Sequence, residues 1–186
     1  MAYDPLDDCI IIWQTLLSNA YVVKINLKSK LVVWDVALSN CGGYCVGMDV
    51  DSKGMIYASS RNIIYVLRQD GSKLKCLIKK NKPWIVQMCM DTQENLVVVL
   101  EKRVEIMSRQ GKLLKTYPML DYSPLYQLFC ARESSNFFMV GFNSIRLYDK
   151  DFAIIKENTN VPNNGAACAQ GGRLFVVDCS RISILI

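Results

Sequence analysis

Four short apolar runs, separated by turn-forming residues, return about every 40 residues along this chain of 186. No other feature narrows the fold as much. Within 44–78 the runs cover 45–50, 55–59, 63–67 and 74–78, with breaks at 51–54, 61–62 and 69–71. Runs of strand length, rich in Val, Ile and Tyr and punctuated by Asp, Asn, Ser and Gly, predict a four-stranded antiparallel meander. Val46-Gly47-Met48 is matched by Val86-Gln87-Met88, Tyr126-Gln127-Leu128 and Ala166-Ala167-Cys168. Ile64-Tyr65-Val66 is matched in step by Val104-Glu105-Ile106, Ile145-Arg146-Leu147 and Ile182-Ser183-Ile184.

A four-stranded meander has two apolar faces and cannot bury either one alone, so such units stack on one another. A period near 40 with four strands per period points to an all-β fold, a β-propeller of four-stranded antiparallel blades. The units run approximately 1–38, 39–80, 81–120, 121–158 and 159–186, forming a single propeller domain or fragment. Three are read as complete, with a partial unit at each end. The first lacks an evident opening strand in the polar MAYDPLDD, and the last stops after its third strand. A β-sandwich, which also has short strands and regular turns, is the rival; the regular phase of the repeat favours the propeller. No helix-period stripe is present.

At 46–71 the order is apolar strand, Asp51-x-x-Gly54, Ile56-Tyr57-Ala58-Ser59, Arg61-Asn62-x-Ile64-x-Val66 and Asp70-Gly71. This order resembles an NHL repeat, with looser copies at 96–114 and 172–186. The resemblance extends to the C-terminal propeller of tripartite-motif proteins, and it implies a six-bladed ring longer than this chain, hence an incomplete one. It also implies a non-enzymatic interaction module that binds a protein partner, as in substrate recognition by a ubiquitin-ligase-type protein. The alternative it implies is RNA binding, known for some relatives. Trp34-Asp35 looks like the WD dipeptide, but the repeat places it on a fourth strand.

Composition removes several classes. No apolar run reaches the ~18 residues of a membrane helix, and acids occupy the start of the chain where a signal peptide needs a basic region. A soluble, cytoplasmic protein is expected. Its eight cysteines then read as reduced thiols. Cys41 and Cys45 have near-zinc spacing, but no second close pair and no histidine accompany them. Neither a histidine-dependent triad nor a phosphate loop can be assembled. No cofactor and no small-molecule substrate are expected, and the chain is read as not an enzyme. A calcium-dependent propeller hydrolase is the remaining enzymatic alternative, with Asp49, Asp51, Asp91 and Glu133 as its acids. Asp51 and Asp91, however, sit at equivalent turns where Asp serves local hydrogen bonding.

Charge is the uneven property. Twelve Lys or Arg face five acids between Arg61 and Lys115, whereas the whole chain carries only +5. Arg61, Lys79, Lys80, Lys82, Trp84, Lys102 and Arg103 fall on connections and are the candidate partner-binding residues. Together they would make a basic face with an aromatic at its edge, suited to an acidic protein segment or to phosphates. Lys75 and Lys115 fall on outer strands and are set aside. Tyr57, Tyr65, Phe137 and Phe138 are read as packing between units, and Trp84, after Pro83, as the exception.

Overall fold

The computed structural model describes residues 1–16, 19–38, 44–78, 84–119, 125–131, 134–141, 144–159, 165–168, 174–177 and 182–185. Among these, every regular element is a strand. The first sheet contains β1 (Ala2–Asp4), β2 (Cys9–Leu16), β3 (Asn19–Asn26) and β4 (Val32–Leu38). The second contains β5 (Gly47–Val50), β6 (Ile56–Ser60), β7 (Ile63–Leu67) and β8 (Lys73–Ile78). β9 (Ile85–Met90), β10 (Leu96–Leu100), β11 (Arg103–Met107) and β12 (Leu113–Pro118) form the third. The fourth is β13 (Leu125–Ala131), β14 (Asn136–Gly141), β15 (Ser144–Tyr148) and β16 (Ile154–Thr159). A three-stranded sheet follows, with β17 (Gly165–Cys168), β18 (Leu174–Val177) and β19 (Ile182–Leu185). Within each sheet every strand pairs with its neighbour in the chain. Five separate small sheets are incompatible with the two facing sheets of a sandwich.

The number of complete units differs from the sequence reading: four sheets have four strands, not three. The extra strand is β1, paired through Ala2↔Ile11, Tyr3↔Ile10 and Asp4↔Cys9. Its polar sequence hides it because its inward residue is a charged one. Asp4 is fully buried and its Oδ2 accepts from Lys24 Nζ at 2.8 Å, with Lys24 only 1% exposed. Asp7 Oδ2 takes a second bond from the same ammonium at 2.5 Å, and Leu6 N–H donates to Asp4 Oδ1 at 3.1 Å. A buried acid therefore does in β1 what an apolar residue does elsewhere.

Burial opposes charge on Lys24, but the hydrogen bonds it donates to Asp4 and Asp7 outweigh it and hold the ammonium above its ordinary 10.5. The Lys24 bond, followed by one from Gln69, holds the Asp7 carboxyl below its ordinary 3.8. A carboxyl depressed in the folded state contributes stability that is complete above the unfolded pKa and disappears as pH falls through the folded one. Asp7→Asn is therefore expected to lower the urea midpoint at neutral pH and to flatten its fall below about pH 4. Parallel pH profiles for the two chains would refute this role for Asp7.

The chain divides into two compact units, Met1–Met88 and Cys89–Ile186, the boundary falling inside β9. In the first, Ile11 and Val22 pack with Val50, Ile56, Ala58, Tyr65 and Leu67. Trp13 meets Tyr65 with ring centroids 6.4 Å apart. Trp34, on β4 as read, donates its indole N–H to the Gln69 carbonyl at 3.0 Å. Its ring lies 2.8 Å from where a Cβ on Gly71 would stand, so a side chain there would collide with it. Trp34 thus fastens the first sheet to a turn of the second.

In the second unit, Leu96–Leu100 is buried along its whole length. An aromatic group gathers round Phe152, which stacks on Phe137 at 4.7 Å and meets Tyr117 at 5.2 Å. Tyr57, Tyr65 and Phe137 are buried, in keeping with packing roles.

The repeat is also written in the backbone. The third-to-fourth turn of each complete sheet has one left-handed residue, Lys30, Gly71, Gly111 or Phe152, always two positions before the outer strand. A bulky residue there costs about 1–2 kcal/mol against glycine, which the stacking of Phe152 offsets. Each outer strand then carries one extra residue relative to its partner: Val33, Leu74, Leu114 and Ile155. All four are exposed. Such bulges twist an open edge and discourage pairing with other chains.

A candidate interaction surface

Arg61 occupies the two-residue turn between β6 and β7 with φ +53°, a left-handed backbone that bulky side chains avoid. Its carbonyl accepts the Ile85 N–H at 2.6 Å, tying the start of β9 to the turn. Trp84, the residue before that strand, is thereby held beside Arg61. The guanidinium lies 5.7 Å from the centre of the indole ring, within cation–π range. Trp84 is 68% exposed, and no carboxylate among the described residues pairs with Arg61. Ser60, immediately before the turn, has a buried hydroxyl without a hydrogen-bond partner. A left-handed arginine and an orphaned hydroxyl are two local costs at one turn, the kind of strain that gathers at functional sites.

The other candidate residues are placed differently. Lys102 and Arg103 belong to the second unit, at the turn between β10 and β11 and the start of β11. The Lys102 carbonyl accepts the Met119 N–H at 2.9 Å. Arg103 Nε donates to Glu105 Oε1 at 2.8 Å, and that glutamate is buried. Arg109 likewise meets Glu94 at 2.8 Å. Three of the twelve cations between Arg61 and Lys115, namely Arg103, Arg109 and Lys115, are thus met by carboxylates among the described residues. Lys79, Lys80 and Lys82 lie outside the described residues. The Glu105 pairing was overlooked in the sequence, although Arg-x-Glu on a strand places both side chains on one face.

The acids considered for metal chemistry are engaged in turns. Asp51 Oδ1 accepts from the Lys53 and Met55 N–H groups, each at 2.9 Å, and Asp91 Oδ1 from Gln93 and Asn95 at 2.8 Å. Asp49 Oδ1 accepts the Val50 N–H at 2.9 Å, and Glu133 lies outside the described residues. Among the described residues no group of three or more His, Cys, Asp or Glu could hold a metal ion. Cys9 and Cys89 are buried free thiols, and Cys45, Cys76 and Cys130 are partly buried ones; Cys41 lies outside the described residues. Burial raises the Cys45 thiol above its ordinary value, with only partial relief from its bond to the Gly47 carbonyl. No helix among the described residues is long and apolar enough to cross a membrane.

No protein-family model and no curated relative matches the sequence, so the NHL pattern finds no family support. Solved structures do match. A streptogramin B lyase superposes with a TM-score of 0.65 at 14% identity, over 93% of this chain and 63% of that one. The WD40 β-propeller domain of Doa1 gives 0.66 at 11%, over 94% and 59%. The fold is a β-propeller. A catalytically inactive virginiamycin B lyase from Staphylococcus aureus, bearing a histidine-to-alanine change and solved with quinupristin, gives 0.65 at 13%, over 98% and 72%. The propeller thus spans 59–72% of the length of these three chains. The lyases correct one expectation: the same fold serves as an enzyme, so the reading of this chain as not an enzyme does not stand.

Proposed function

We propose that this propeller is a protein-interaction module whose partner seats on the Arg61–Trp84 pair. The observation that carries the reading is an indole 68% exposed to solvent, beside a guanidinium 5.7 Å from its centre and next to a residue, Ile85, bonded to the Arg61 carbonyl. Trp and Arg are the side chains most often found to dominate binding at protein interfaces. Holding them before the partner arrives reduces the entropy lost on binding. The WD40 domain among the matched structures is a propeller of comparable build, and the NHL-like pattern at 46–71 fits the same reading. RNA binding is the weaker alternative, because Arg103 and Arg109 already have carboxylate partners.

The test is affinity capture with the immobilised chain, its Trp84→Ala variant and a Leu114→Lys control on an outer strand of the second unit. Proteins held by the parent and the control are expected to be lost from Trp84→Ala, since removing a dominant interface residue costs about 2 kcal/mol or more. An identical set on all three would refute the reading.

A further inference from the structure

We infer that the partner presents an acidic protein segment, with a Glu or Asp side chain entering the edge of the Arg61 guanidinium. This rests on the Arg61–Trp84 pair being a protein-binding surface. With its carbon 5.7 Å from the centre of the Trp84 ring, the guanidinium belongs to an exposed side chain, and its planar N–H fork matches a carboxylate in a bidentate pair. Arg61 is an exposed side chain and no described carboxylate occupies it. Among the described residues from Arg61 to Trp84 there are four Lys or Arg and one acid, Asp70. Asp70 is itself engaged by the Ser72 N–H at 2.8 Å. An apolar side chain beside the anchoring acid would find the exposed Trp84. The local costs at Ser60 and Arg61 are understandable if this turn must present an arginine rather than the glycine or asparagine its backbone prefers.

The probe is a fluorescein-labelled decapeptide of alternating Glu and Ala, blocked at both ends so that only side-chain carboxylates are offered. Fluorescence anisotropy is read for the parent, Arg61→Asn, Arg61→Lys and Trp84→Ala chains, with an oligouridylate decamer as the nucleic-acid comparison. Asparagine tolerates left-handed backbone, so loss of binding in Arg61→Asn reports the guanidinium rather than strain; equal melting temperatures confirm that. The expected result is saturable binding of the acidic peptide by the parent, weakened about tenfold or more in Arg61→Asn. Arg61→Lys is expected to be weakened as well, because lysine lacks the planar fork. The inference is overturned if the peptide fails to bind, if Arg61→Asn binds it equally well, or if the oligouridylate binds more tightly. Should the peptide fail while Trp84→Ala still loses captured proteins, the interaction surface stands and only its acidic specificity is wrong.

Discussion

Lys24→Met is expected to lower the stability of the first unit by about 3–5 kcal/mol, the range for removing one partner of a buried ion pair. The substitution keeps most of the side-chain volume and deletes the charge, leaving the fully buried Asp4 carboxylate without its cation. The bond from Leu6 N–H to Asp4 Oδ1 survives, so the loss belongs at the lower end of the range if that bond relaxes to serve the acid better. Urea unfolding followed by tryptophan fluorescence reads the change. The double variant Lys24→Met with Asp4→Leu is expected to regain most of the loss, because a buried pair replaced by apolar groups is often neutral. If Lys24→Met alone matches the parent, β1 is not held in the way described, and the fourth strand of the first sheet is in doubt.

Gly47→Ala is expected to destabilise by about 2–3 kcal/mol, toward the upper end for overpacking. A Cβ on Gly47 would stand 2.4 Å from the Met88 carbonyl oxygen, 2.6 Å from its nitrogen and 2.9 Å from its Cα. All three are backbone atoms, so no rotamer change relieves the clash; β9 itself would have to move. By contrast, a Cβ on Gly54 would meet the flexible ends of Gln69 and Leu6 at 3.1–3.2 Å, and its cost comes mainly from the left-handed backbone, φ +72°. The same urea measurement decides, and a Gly47→Ala chain as stable as the parent would mean that β9 does not pass so close to β5.

Particular residues show where sequence reading reached and where it stopped. β5 to β16 fall on the apolar runs because two-residue alternation and Asp- or Gly-containing turns are local signals, carried by 5–10 residues at a time. Counting from the repeat places Trp34 on an outer strand, where the structure has it, although its dipeptide points elsewhere. β1 was missed because its inward position is an aspartate whose cation, Lys24, is 20 residues away. At the candidate surface, Trp84 was singled out by its position after Pro83, but Arg61 beside it and Glu105 under Arg103 are contacts of the folded chain. Whether a cation is free for a partner depends on which acids the fold brings to it.

The amino-acid order alone determined the strand period, the turn positions and the sign of the charge between Arg61 and Lys115, since each depends on neighbours along the chain. Tertiary structure alone decided that Asp4 can be buried in a strand, that Gly47 has no room for a methyl group, and that Arg103 is engaged while Arg61 is open. These properties follow from distances between residues far apart in sequence, and burial sets their energies: a charge or a methyl group is tolerated or not according to what stands within about 4 Å of it.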